Sequence, residues 1–188
     1  MALRILVADD HVAVREGLRW MLHSDETIEV VGEAANGEEL MALLDRTPCD
    51  AVLLDLSMPV MSGLDVLAAL RAMDRQVPVV VLTMHDDPAH VDRALALGAA
   101  GYILKSAPRD EMIRALTAAA TGGAYVQPSL AKPLLARHVV SVAGADEMAS
   151  LSPRQLQLLR ALASGRTNKQ LAHELGNGEA PVKGYLKD

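Results

Sequence analysis

The sequence predicts an α/β fold: a doubly wound, five-stranded parallel sheet within residues 1–122, followed by a small all-α helix-turn-helix segment over 151–188. Three observations carry this. Aliphatic runs at residues 4–8, 51–55, 79–83 and 101–104 are separated by stretches with helical spacing, the pattern of strands buried on both faces of a parallel sheet. Each run stops at a polar residue, in order Asp9-Asp10, Asp55, Thr83 and Lys105. From Leu151 onward the pattern turns helical and stays so.

Taken in order, residues 4–8 form the first strand, and a helix begins near Val12 with Val14, Leu18, Met21 and Leu22 as its apolar stripe. Residues 28–34 alternate enough for a second strand, Asn36-Gly37 makes a turn, and residues 38–44 form a helix with Leu40, Leu43 and Leu44 inward. The third strand, 51–55, runs through a loop marked by Pro59 and Gly63 to a helix containing Leu67 and Leu70. The fourth strand, 79–83, is followed by a helix centred on Val91, Ala94, Leu95 and Leu97, which Gly98 stops. The fifth strand is 101–104 and the last helix of the unit is 109–120, with Gly122-Gly123 ending the domain. Five βα repeats of this kind make a doubly wound domain.

Residues 123–150 read as a linker with a short helix of its own over 128–140, where Leu130, Leu134 and Leu135 are the apolar positions. Ser152-Pro153 then supplies an N-cap with proline at the first helical position, and Leu156, Leu159, Leu162 and Ala163 share one face before Gly165. Thr167 caps a helix over 168–175 that Gly176 ends, and residues 179–188 form a third helix. Two short helices across a glycine turn are the helix-turn-helix arrangement.

Composition narrows the function classes. About half the residues are hydrophobic (51%), but there is no Phe, one Trp and three Tyr, so aliphatic side chains and Met must fill the core. No apolar stretch reaches the roughly 18 residues of a membrane span, and the N-terminus lacks a signal-peptide succession, so neither membrane insertion nor export is expected. Cys49 is the only cysteine, which excludes an internal disulfide and suits a cytoplasmic location. The net charge of −6 is unevenly spread: residues 1–125 carry 10 basic against 19 acidic side chains, residues 151–188 carry 6 against 3. An acidic front and a basic tail suit cation binding in one and phosphate-backbone binding in the other.

In a parallel sheet, ligands bind in the crevice outside the carboxyl ends of the strands. Asp9, Asp10 and Asp55 are too many like charges to share that crevice uncompensated, and a hard cation such as Mg²⁺ relieves the repulsion. A carboxylate beside the cation can attack a phosphoryl donor to give an acyl phosphate, while Lys105 and the Thr83 hydroxyl meet the phosphoryl oxygens.

These residues carry a resemblance. Val7-Ala8-Asp9-Asp10-His11, Leu54-Asp55 through Met58-Pro59 to Gly63, Leu82-Thr83-Met84 and Gly101-Tyr102-Ile103-Leu104-Lys105 together resemble the receiver domain of bacterial response regulators, a flavodoxin-like fold, over about residues 3–122. Leu151-Ser152-Pro153-Arg154, Asn168-Lys169-Gln170-Leu171-Ala172 and Val182-Lys183 resemble a LuxR-type helix-turn-helix of the NarL/FixJ subfamily. The resemblance implies Asp55 as phosphoacceptor, with Asp10, Asp55 and the Ser57 carbonyl as Mg²⁺ ligands and Asp9 acting through water. It further implies Thr83 and Lys105 on the phosphoryl oxygens and Tyr102 as a switch aromatic that turns inward when Thr83 moves. For the tail it implies Lys183 and Lys187 as DNA contacts, with Lys169 and Arg166 on phosphates. The partners it implies are a sensor histidine kinase, DNA and a phosphorylation-dependent homodimer formed through residues 87–120. Catalysis would be limited to self-phosphorylation and self-dephosphorylation at Asp55.

Departures from the family pattern set two further expectations. Asn177-Gly178, Pro181, Gly184 and Tyr185 weaken the last helix, and the sequence ends at Asp188 without the family's fourth helix, so a truncated output domain with weak DNA binding is expected. Such a chain could instead act as a phosphorylation-dependent protein-interaction switch. A third class, an aspartyl-nucleophile phosphatase of the haloacid dehalogenase kind, needs an Asp two residues after the nucleophile, where this chain has Ser57. Met84 is larger than the small residue usual after the family's Thr, and it should slow the entry of water. Met84→Ala is then expected to shorten the lifetime of the acyl phosphate, followed as loss of labelled phosphate; an unchanged lifetime contradicts the shielding.

Overall fold

Strands buried along their whole length, such as Ala51–Asp55 and Val79–Thr83, need cover on both faces. The computed structural model, which describes residues 2–23, 25–84 and 87–131, supplies it. The elements run β1 (Leu3–Ala8), α1 (Val12–His23), β2 (Ile28–Ala34), α2 (Gly37–Arg46), β3 (Ala51–Asp55) and α3 (Gly63–Ala72). They continue as β4 (Val79–Thr83), α4 (Pro88–Ala96), β5 (Gly101–Leu104), α5 (Arg109–Ala120) and β6 (Tyr125–Val126). The chain divides into two units, Met1–Arg137 and His138–Asp188. The expected linker beyond residue 131 and the helix-turn-helix lie outside the described residues.

The sheet order is β2-β1-β3-β4-β5-β6, with every neighbouring pair parallel. The chain steps outward from β1 to β2 and then crosses back to β3, so the direction of winding reverses between β1 and β3. That reversal opens a crevice at their carboxyl ends. On one face Ile5, Val7, Leu53, Val80, Leu82 and Ile103 pack with Leu18 and Leu22 of α1 and Met112, Ala115 and Leu116 of α5. Alternation sends Leu6 and Leu54 to the other face, where α2 touches α3 and α3 touches α4. Their inward residues are Leu40 and Leu44, Val66, Leu67 and Leu70, and Val91 and Ala94, all buried. In a core with no Phe, the largest fully buried side chain is Tyr102.

Local chemistry fixes where the helices begin. Asn36, expected in a turn, caps α2: its side chain accepts from the Glu39 amide at 2.9 Å, and Glu39 Oε2 accepts from the Ala35 amide at 2.8 Å. Ser62 and Asp65 form a reciprocal capping box on α3. Asp87 caps α4 ahead of Pro88. Gly63 lets α3 start hard against the end of β3, since a Cβ there would sit 2.8 Å from Leu56 Cα. In the loop between them Val60 takes φ of 67°, with Met61 N–H donating to the Pro59 carbonyl at 2.7 Å. This is a γ-turn in the sense that strains a β-branched residue.

The expected five strands are corrected to six. Gly122, with φ of 80°, does end α5, but the chain then turns back to lay Tyr125 and Val126 parallel to Gly101 and Tyr102. A two-residue strand is too short to leave an alternation in the sequence, which is why the glycine pair read as the end of the domain. The new strand is anchored by the Tyr125 hydroxyl, which donates to Glu111 Oε1 of α5 at 2.7 Å.

Burial first, and the Glu111 carboxylate second, push the Tyr125 phenol up to about 12. The folded chain therefore keeps this proton after an unfolded phenol, ionising near pH 10, has lost its own. The contribution is constant below about pH 10 and lost as pH rises toward about 12. Tyr125→Phe should accordingly lose less stability than the parent between about pH 9 and about pH 11, read from denaturant midpoints. Equal losses in the two proteins would contradict the assignment.

Candidate functional site

The strand ends carry the site. Asp9 follows β1, Asp55 ends β3, Thr83 ends β4 and Lys105 follows β5, and these four strands are consecutive in the sheet. Asp55 lies opposite Leu82, and Thr83 opposite Leu104, so the register keeps all four side chains at one rim. Among the described residues the buried polar side chains are Asp9 (0% exposed), Asp55 (3%) and Thr83 (1%). Burial of this kind costs free energy unless the groups are paired.

Lys105 supplies the pairing. Its Nζ lies 2.6 Å from Asp9 Oδ2 and 3.0 Å from Asp55 Oδ2, donating a hydrogen bond to the latter. Burial alone would lower the Lys105 pKa, but the contacts with Asp9 and Asp55 outweigh it and the net displacement is upward. The ammonium is therefore retained at neutral pH. Asp9 is further fixed by its Oδ1, which accepts from the His11 amide at 2.9 Å. Its carbonyl accepts from Arg15 Nη1 at 2.6 Å. The Lys105 amide donates to the Thr83 carbonyl at 2.7 Å, so the backbone of β4 sets where Lys105 leaves β5.

Charge does not balance within this group. One ammonium faces Asp9 and Asp55, and Asp10 adds a third carboxylate beside them. Asp10 Oδ1 lies 2.7 Å from His11 Nδ1, which also stands 3.5 Å from Asp9 Oδ1. Asp9 Oδ2 is held by Lys105 and Asp10 Oδ1 by His11, yet three carboxylates share the one ammonium at this rim. Carboxylates in surplus over the cationic groups that face them are a donor set suited to a hard divalent cation. Asp9, Asp10 and His11 offer ligand atoms within 4.8 Å of one another. His11 had been missed as a member of this cluster, although its adjacency to the acidic pair was the available signal.

Beside Thr83 a cleft of about 270 Å³ opens, lined by Leu56, Ser57, Ser62 and Leu64 from the segment after β3 and by Thr83, Asp87 and His90 from the segment after β4. Tyr102 is 0% exposed and lies inward. Burial pushes its phenol up to about 12, with a hydrogen bond to the Thr83 side chain acting in the opposite direction. Met84 stands exposed at the rim. The structure thus gathers Asp9, Asp10, Asp55, Thr83 and Lys105 at one edge, with Ser57 lining the adjoining cleft. Lys169, Arg166, Lys183 and Lys187 lie outside the described residues.

Comparison with known proteins identifies two families along this chain. Residues 5–117 match the response regulator receiver domain and residues 149–188 the bacterial regulatory proteins of the luxR family. The chain is 35% identical to the nitrate/nitrite response regulator protein NarP of Escherichia coli (strain K12) over 185 residues, covering 98% of this chain and 86% of that protein. A crystal structure of a two-component response regulator of the LuxR family from Aurantimonas sp. SI85-9A1 superposes with a TM-score of 0.70 at 32% identity, covering 74% of this chain and 99% of that one. A structure of two RcsB dimers bound to two parallel DNAs gives a TM-score of 0.66 at 25% identity, covering 98% of this chain and 88% of that one. A parallel α/β receiver with a LuxR-type helix-turn-helix behind it makes this chain a two-component response regulator of the NarL/LuxR type, a family that regulates transcription.

Proposed function

We propose that Asp55 is the residue phosphorylated in this chain, and that its modification controls DNA binding by the C-terminal segment. The observation that carries this is the Lys105 ammonium held between Asp9 and Asp55, 2.6 and 3.0 Å away, at the rim where the buried polar groups converge. A carboxylate oxygen of Asp55 attacks the phosphorus of a donor, the phosphohistidine of a sensor kinase or a small acyl phosphate. The bond from phosphorus to the donor breaks, and Asp55 carries an acyl phosphate. Lys105 then meets one phosphoryl oxygen and the Thr83 hydroxyl donates to another, offsetting charge where it develops. Water attacking the same phosphorus breaks its bond to the Asp55 oxygen, releasing inorganic phosphate and returning the free carboxylate.

Asp10, Asp55 and the Ser57 carbonyl would hold Mg²⁺, with Asp9 reaching it through water. Bound there, the cation supplies neutralisation of the phosphoryl oxygens. Its fit is supported by the surplus of carboxylates, Asp9, Asp10 and Asp55 against the one Lys105 ammonium. Tyr102 is the second half of the switch: it lies buried beside Thr83, so movement of Thr83 toward a phosphoryl group changes the space its ring occupies.

The output side rests on sequence and likeness. The segment 151–188 acts as the DNA-binding unit, with Lys183 and Lys187, four apart in the sequence, as DNA contacts and Lys169 and Arg166 as phosphate contacts. Because RcsB binds DNA as dimers, a phosphorylation-dependent homodimer is the proposed active form, working in the cytoplasm with a cognate sensor kinase. Among the described residues no helix is long and apolar enough to cross a membrane.

Intact-mass measurement after treatment with acetyl phosphate and Mg²⁺ tests the assignment. The parent should gain the mass of one phosphoryl group and Asp55→Asn none. Equal labelling of the two would move the phosphoacceptor elsewhere.

A further inference from the structure

The sixth strand, unforeseen in the sequence, is followed by a residue that is used three times over. Gln127 donates its backbone N–H to the Tyr102 carbonyl at 3.0 Å, extending the pairing of β6 with β5. In a parallel ladder the next hydrogen bond would run from the Leu104 amide back to the carbonyl of the facing residue. Here that carbonyl is already engaged. The Gln127 backbone oxygen accepts from the Leu130 amide at 2.9 Å and the Ala131 amide at 3.1 Å, closing the helical turn that starts at Pro128. The missing sheet bond is made instead by the side chain: Gln127 Oε1 accepts from the Leu104 amide at 2.8 Å.

This places Gln127 at the end of β5 from which Lys105 departs. The last two amides of that segment point to opposite neighbours. Leu104 N–H is held by Gln127 on the β6 side, and Lys105 N–H is held by the Thr83 carbonyl on the β4 side. The Tyr102 carbonyl, two residues back, is held by Gln127 as well. A single residue therefore brackets the stretch from Tyr102 to Leu104 and at the same time caps the turn through which the chain leaves the sheet. Without the side-chain bond, the Leu104 amide would be left without a partner at a part-buried position, at a cost larger than that of the bond itself.

We propose that Gln127 is a positioning residue: it fixes the β5 end that delivers Lys105 to Asp55, and it ties that end to the outgoing chain, so that a change at Lys105 reaches residues 128–131. The inference rests on the reading of Asp55 as phosphoacceptor. When Lys105 and Thr83 turn to a phosphoryl group, the backbone they share moves, and the Leu104 amide moves with it. Gln127 cannot follow through its side chain without its carbonyl shifting against the Leu130 and Ala131 amides. The sheet edge and the start of the segment leading to the second unit thus respond together.

The test is amide-resolved hydrogen exchange on the full chain with Mg²⁺, with and without acetyl phosphate, with intact mass taken on the same samples. In the parent, phosphorylation should change exchange at Leu104 and also at Leu130 and Ala131. Gln127→Met keeps the length of the side chain but lacks the acceptor. It should speed Leu104 exchange by about two- to tenfold, the effect of one lost hydrogen bond. It should gain a phosphoryl group more slowly than the parent, because Lys105 is less firmly placed, and, once phosphorylated, no longer pass the change to Leu130 and Ala131. Gln127→Glu keeps an acceptor oxygen and should restore the response. A Gln127→Met chain whose Leu130 and Ala131 amides respond as in the parent overturns the proposal. So does a phosphorylated parent in which those amides are indifferent, a comparison that needs no variant to fold. A parent that gains no phosphoryl mass overturns the phosphoacceptor assignment itself, and this proposal with it.

Discussion

One ammonium among three carboxylates is the constraint on which the rest of this structure depends. Asp9 and Asp55 are buried almost completely, and carboxylates in that position are tolerated only with a compensating charge close by. Lys105 provides it from the opposite side of the crevice, reaching across from β5. That contact needs β1, β3, β4 and β5 to be neighbours with their carboxyl ends aligned. The aliphatic strands and their two helical layers achieve this alignment. It also leaves the cluster short of positive charge, because Asp10 adds a carboxylate that only His11 approaches among the contacts of this site. A site with a negative surplus beside a Thr hydroxyl and an ammonium is poised to accept a divalent cation and a phosphoryl group together.

Much of this could be read from the residues alone because the signals are periodic or punctual. Runs such as Val79-Val80-Val81-Leu82 declare buried strands, and the polar residue closing each run marks the rim. Parallel order then converts four separated positions into one site without any contact being known. What the sequence hid was everything that depends on a single bond. Asn36 looked like a turn residue, and only the Glu39 amide on its side chain shows it to be a cap. His11, itself exposed, sits in the acidic cluster through its Nδ1 contact with Asp10, a contact that its place after Asp9-Asp10 permits but does not fix. β6 has two residues, below the length at which alternation exists. Gln127 matters through one side-chain oxygen, and nothing in Val126-Gln127-Pro128 announces it.

Backbone hydrogen bonds link the site to the chain beyond the sheet. The rim residues are tied to one another through backbone rather than through side chains alone: Lys105 N–H to Thr83 carbonyl, Leu104 N–H to Gln127, and Gln127 carbonyl to the turn beyond. Close-packed aliphatic faces beneath them deform little, and the proposed role of Gln127 has displacement at the rim pass along these backbone bonds. Tyr102 lies within this path, buried beside Thr83 and bonded through its carbonyl to Gln127. A local change in charge thereby acquires a route to the segment that connects with the DNA-binding unit.

The most direct measurement of the central claim is the thermal midpoint as Mg²⁺ is added to the parent and to Asp10→Asn. A cation that binds only the folded chain stabilises it by about 2.7 kcal/mol at a concentration 100 times its dissociation constant. The parent midpoint should therefore climb with Mg²⁺, while Asp10→Asn, with the carboxylate surplus reduced, should start higher and gain little. A parent indifferent to Mg²⁺, or a variant that gains as much as the parent, would contradict the account.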